Sequence, residues 1–154
     1  MIVVDANTII YLVRDTSFTQ LAREVYAKDS DWVVPCLWEA EVLNGLLREV
    51  RAGHINMREA IEAAANAAAI LADRVQACEP AAVLRIAEAA RLTAYDTYYV
   101  ALARSLGVVL VTEDAKIKKN CPDVARSLRA FLRQPEEPSA VQEQAPTYRA
   151  RRRR

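Results

Sequence analysis

Four carboxylates in this chain stand where carboxylates are costly unless something uses them. Asp5 ends the apolar run Ile2-Val3-Val4, and Asp114 follows Leu110-Val111 by three residues. Asp96 lies in the first turn of a helix that is apolar nearly all round, Tyr98-Tyr99-Val100-Ala101-Leu102-Ala103. A buried carboxylate must be paired, hydrogen-bonded or metal-bound, because an isolated charge in a core is too expensive. Glu41 lies in the second turn of a helix that follows another apolar run, Trp32-Val33-Val34. Ligands of open α/β sheets gather beyond the C-terminal ends of the strands, so four acids from four elements can meet in one cleft.

Convergent acids repel: a like-charged pair at ~4 Å costs about 4 kcal/mol at an effective dielectric near 20. A divalent cation relieves that repulsion, and all-oxygen ligation selects Mg²⁺ or Mn²⁺. Such a centre activates water and neutralises charge developing on a phosphodiester. Asn7 and Thr112 are placed to orient a carboxylate or hold the water, and Asn44, one turn beyond Glu41, to steady that side chain. Each acid also has a plain structural role open to it. Asp96 completes a capping box with Thr93, Asp114 can cap the helix that follows it, Asp5 can end its strand in an Asx turn, and Glu41 can pair with Arg48.

The elements that must carry these residues alternate. Short apolar strands are expected at Ile2–Val4, Trp32–Val34, Val75–Cys78 and Val108–Val111, with a last short strand and helical turn between Val124 and Leu132. Between them, Asn7 and the Ser17-x-x-Gln20 pattern cap two short helices. A third helix runs from about Leu37 to Ala52, with Leu43, Leu46, Leu47 and Val50 as its core stripe. Asn56-x-x-Glu59 opens an alanine-rich fourth helix to about Asp73, a core or dimer-forming element, and Pro80 starts a fifth. The helix of Asp96 buries Tyr95, Tyr99, Leu102 and Leu106 and stops at Gly107. This pattern predicts an α/β fold around a mostly parallel sheet of four to five strands.

Composition narrows the function. The 154 residues hold three glycines and neither G-x-G-x-x-G nor the P-loop pattern, so phosphate-cradling glycine loops are disfavoured. His54 is the single histidine, which leaves little for a Ser-His-Asp triad. Cys36, Cys78 and Cys121 show no C-x-x-C spacing and read as reduced thiols packed in the core. The N-terminus lacks a basic region followed by a signal-length apolar run, and no membrane-length apolar segment occurs, so a cytoplasmic protein is expected. Net charge is +1. From Gln134 onward five arginines face three glutamates, leaving residues 1–133 at −1, so nucleic-acid binding must be local. Residues 134–154, rich in Pro, Glu and Gln and ending in Arg151-Arg152-Arg153-Arg154, have the composition of a flexible tail.

The segments Val3-Val4-Asp5-Ala6-Asn7, Ala40-Glu41-Val42-Leu43-Asn44, Ala94-Tyr95-Asp96-Thr97-Tyr98-Tyr99-Val100-Ala101-Leu102-Ala103 and Leu110-Val111-Thr112-Glu113-Asp114 resemble the four motifs of PIN-domain ribonucleases. Their order and spacing are similar to those of VapC toxins, over roughly Met1 to Leu132. The resemblance implies a three-layer sandwich in which Asp5, Glu41, Asp96 and Asp114 bind Mg²⁺ or Mn²⁺, supported by Asn7, Thr112 and Asn44. It implies hydrolysis within single-stranded RNA, a homodimer, and a VapB-like antitoxin that blocks the groove. Lys116, Lys118 and Lys119 are the candidate RNA contacts beside Asp114. A haloacid-dehalogenase-like phosphohydrolase also places an Asp after its first strand, but its second Asp is Asn7 here and only Lys116 could serve as its lysine. A PIN-like binding module without turnover is the other alternative.

Overall fold

A computed structural model of the protein describes residues 1–134. The expected tail lies beyond these residues, apart from Gln134. In chain order the elements are β1 (Ile2–Val4), α1 (Ala6–Val13), α2 (Thr19–Lys28), β2 (Trp32–Pro35), α3 (Trp38–Arg51), α4 (Met57–Leu71) and β3 (Val75–Gln76). They continue with α5 (Pro80–Ala90), α6 (Ala94–Leu106), β4 (Leu110–Val111), α7 (Ala115–Asn120), β5 (Ala125–Arg126) and α8 (Leu128–Arg133). The five strands form one sheet in the order β3-β2-β1-β4-β5, and every pairing is parallel.

β1 occupies the centre because it has no polar residue to offer solvent on either side. Ile2 and Val4 turn to a core shared with Trp32, Val34 and buried residues of α1 to α4 and α8. Val3 turns the other way, to Val33, Leu110 and the buried residues of α6 and α7. The result is helix, sheet, helix: the α/β fold around a parallel sheet expected from the alternating pattern, and the three-layer sandwich that the resemblance implies. Burying each Val or Ile of this kind contributes about 1.5–3 kcal/mol relative to exposure. α1 and α3 approach closely at Gly45, where an added Cβ would collide with Ile10 Cδ1. Among the described residues no helix is long and apolar enough to cross a membrane.

The structure corrects the local expectations at five places. The buried stripe of α3 is Trp38, Val42, Gly45 and Leu46, while Leu43 is exposed. Asn7 does not cap α1; Asp5 does, accepting from Thr8 N at 2.7 Å. The Ser17 capping box does not form: α2 has Phe18 at its N-cap with no side-chain cap, and Thr19 Oγ1 instead accepts from Thr16 N. Tyr95 is exposed rather than core, because it falls in the first turn, beyond the sheet edge that α6 covers. Of the three thiols only Cys121 is fully buried; Cys78 is half-buried and Cys36, in the turn after β2, is exposed. The Asn56–Glu59 capping box and the Gly107 stop, at φ +66°, form as expected.

Candidate active site

Sheet order 3-2-1-4-5 places the topological switch between β1 and β4, and the crevice beyond their C-terminal ends is where open α/β sheets bind ligands. There a cleft of about 730 Å³ is lined by Asp5, Glu41, Asp96 and Asp114 together with Asn7, Asn44 and Tyr99. Asp5 arrives from the end of β1, Glu41 from the first turn of α3 (one turn earlier than expected, because the helix starts at Trp38), Asp96 from the first turn of α6 and Asp114 from the start of α7.

Each acid is held by donors other than a cation. Asp5 is buried, and its two oxygens accept from Thr8 N and from Thr112 Oγ1. Thr112 Oγ1 in turn accepts from Asp114 N at 2.9 Å, so one hydroxyl ties two of the acids together. Thr8 Oγ1 donates to Val111 O at 3.3 Å, fastening the start of α1 to β4. Asp114 accepts from Ile117 N at 2.8 Å as the cap of α7. Asp96 N donates to Thr93 Oγ1 at 3.2 Å, and the Asp96 carboxylate accepts from that hydroxyl at 2.7 Å. Glu41 accepts from Tyr99 Oη at 2.6 Å. Asp114 thus fills its capping role, whereas at α6 Thr93 is the cap and the Asp96 carboxylate bonds its hydroxyl rather than the Thr93 N–H, so the expected capping box is only half formed; both carboxylates still line the cleft. No ion pair joins Glu41 to Arg48 among the described residues.

Burial and mutual repulsion show in the acidities. Burial pushes the Asp5 carboxyl above its ordinary value, opposed by its bonds from Thr112 and Thr8 and reinforced by Asp114. Burial also raises Glu41; the Tyr99 hydroxyl opposes this, and the charges of Asp96 and Asp5 add to it. Tyr99 is raised strongly, first by its own burial and then by Glu41. These couplings link all four acids through space. The carboxylates do not form a closed cage, since no three His, Cys, Asp or Glu side chains among the described residues stand close enough to hold an ion jointly. The donor set is nonetheless suited to Mg²⁺, which dehydrates reluctantly, keeps several waters and takes only one or two carboxylates directly.

Two contacts lay outside the sequence reading. Tyr99, read only as core, is the residue that steadies Glu41; Asn44 lines the cleft but makes no hydrogen bond to Glu41. The available signal was that a buried tyrosine needs a partner for its hydroxyl. Arg51, assigned no role, lines the cleft beside Arg48, at the i, i+3, i+7, i+10 spacing that starts at Glu41 and includes Asn44. The three lysines of α7 do not line it, and Lys118 pairs with Glu113 at 2.7 Å. Glu113 itself is structural, accepting also from Leu128 N.

No curated protein matches the sequence. The fold is similar to the crystal structure of PAE2754 from Pyrobaculum aerophilum, with a TM-score of 0.66 and 26% identity over 85% of this chain and 92% of that one. Residues 2–121 match the PIN domain, well over half of the sequence and all four acidic segments. The chain belongs to the PIN domain family.

Proposed function

We propose that the protein is a divalent-metal-dependent endoribonuclease that cleaves single-stranded regions of RNA. The observation that carries this reading is that four carboxylates from four elements line one cleft, none of them paired with a cation among the described residues. Asp5, Glu41, Asp96 and Asp114 would hold Mg²⁺ or Mn²⁺, with waters completing the shell. When bound, the ion lowers the pKa of a water and offsets the charge that develops on the phosphodiester. The chain's own part is to keep the acids oriented. Thr112 fixes Asp5 relative to Asp114, Tyr99 fixes Glu41, and Thr93 fixes Asp96. Asn7, exposed on the cleft, is available to a water or to the ribose-phosphate chain.

Within the PIN family we place the protein with VapC-like toxins, as a cytoplasmic homodimer neutralised by a VapB-like antitoxin. The order and spacing of the four motifs support that assignment. A phosphohydrolase reading is weaker because Asp5 is buried with each oxygen accepting a hydrogen bond, a poor state for a nucleophile, and Asn7 takes the place of its acid/base partner. The test is cleavage of single-stranded RNA with Mn²⁺ by wild type, Asp5→Asn and Asp96→Asn. Loss of cleavage in both variants with circular dichroism unchanged supports the reading; wild-type rates in the variants, and no Mn²⁺ binding, would end it.

A further inference from the structure

The acid cleft has a cationic rim that its floor does not neutralise. Arg48 and Arg51 line it, both exposed, yet neither has a carboxylate within 4 Å among the described residues. Arg14, at the end of α1, is by contrast spent on Glu49 of α3 at 3.0 Å. Two guanidinium groups left open beside four acids are arranged for an anion that comes from outside. At 1.5 Å rise per residue, Arg48 and Arg51 stand about 10 and 15 Å along the α3 axis from Glu41. The two arginines are helical neighbours at i, i+3, about 4.5 Å apart along the axis, close enough to meet neighbouring phosphates of one strand. Arginine suits the task because its planar fork meets phosphate oxygens two at a time. Across the cleft mouth Tyr95 leaves a large aromatic ring 66% exposed, one residue from Asp96. A ring held in water beside a reactive centre is a stacking platform for a base, and only an unpaired base can reach it.

We infer that Arg48, Arg51 and Tyr95 form a substrate subsite in which one RNA strand runs along α3 with its phosphates on the two arginines and a base stacked on Tyr95. This rests on the nuclease reading for its substrate and goes further by giving the path of the strand and the reason duplex RNA is refused. An acidic peptide fits less well, because acidic side chains offer no base-sized aromatic face to Tyr95.

The experiment measures binding of the full chain to a short labelled single-stranded RNA in EDTA, from about 50 to about 200 mM salt. Arg48→Ala/Arg51→Ala should reduce the salt slope by about 1.4, at ~0.7 per phosphate neutralised, and weaken low-salt binding at least tenfold. Tyr95→Ala should weaken binding about tenfold without changing the slope, and Tyr95→Phe should restore it. Arg58→Ala, an exposed charge on α4 paired with Glu62, should change neither. The matching duplex should bind more weakly than the single strand. An unchanged slope in the double variant, an equal loss in Arg58→Ala, or no RNA binding by wild type overturns the subsite. If wild type binds through the arginines but does not cleave with Mn²⁺, the nuclease reading fails and the subsite stands. If it cleaves and the arginine variant binds and cleaves equally well, the reverse holds.

Discussion

The two edges of the sheet treat charge in opposite ways. At the N-terminal edge lies the larger cleft, about 1240 Å³, against about 730 Å³ for the acid-lined one. Its acids are each matched. The Met1 ammonium meets Asp29 at 2.7 Å, Arg74 meets Asp31 at 2.6 Å, and Arg104 grips Asp123 through two bonds of 2.9 Å. Lys28 is spent on the carbonyls of Phe131 and Leu132 at the end of α8. The Arg104 guanidinium accordingly holds the Asp123 carboxyl below its ordinary value. At the C-terminal edge Asp5 and Glu41 are raised instead, and among the described residues no lysine or arginine forms an ion pair with them. Charge that serves folding is neutralised where it stands. Charge kept for a ligand is left open, and that contrast, more than cleft size, identifies the working edge.

The contrast can be broken most sharply by removing a charge from each edge in turn. Asp96→Asn should lower RNA cleavage by ~10²–10³-fold, as expected when a group stabilising the transition state is lost, with no change in the circular dichroism spectrum. Tyr99→Phe should cost about 10–100-fold in metal affinity, the usual effect of losing a residue that orients a ligand. Calorimetric titration with Mn²⁺ reads that loss. The acid limb of its pH–rate profile should move upward, because the hydroxyl that holds Glu41 down is gone. At the opposite edge, Asp123→Asn should leave cleavage unchanged and cost ~0.2–1 kcal/mol in urea unfolding, since its partner pair is half-exposed and solvent-screened.

Stability should respond to the working edge with the opposite sign. The Asp5 carboxyl is raised in the folded state above its ordinary 3.8, so the folded protein binds that proton more tightly than the unfolded chain does. Its contribution is intact below pH 3.8 and is lost as pH rises through the folded value. Metal-free Asp5→Asn should therefore melt above wild type at pH 7, and the gain should fade toward pH 3.8. Equal melting temperatures at pH 7, or a gain that grows on acidification, would contradict the assignment of Asp5 as an unneutralised buried charge.

Much of this edge was legible because its signals are local. β1 and β4 are apolar runs that stop at or near a carboxylate, and the Thr93–Asp96 and Asn56–Glu59 spacings announce helix starts that form there, the second with its full capping box and the first with Thr93 alone as cap. What was not legible depends on packing between elements. The stripe of α3 was right at Leu46 and Val50 but misphased elsewhere, because Leu43 and Leu47 are as apolar as Val42. The residue marking the true contact, Gly45, contributes no hydrophobicity to a pattern. Tyr99 reaches Glu41 across 58 residues of sequence, a pairing no spacing rule contains. Arg48 was given to Glu41 because the two share a face of α3, and that hid the pair it makes with Arg51 on the rim.

The most direct test of the account is the rate at which the full chain cleaves single-stranded RNA with Mn²⁺ and with EDTA, compared with Asp5→Asn and Asp123→Asn. Cleavage that requires the metal, disappears in Asp5→Asn and is untouched in Asp123→Asn is the predicted result. Cleavage that persists in EDTA, or is equal in all three proteins, would contradict it.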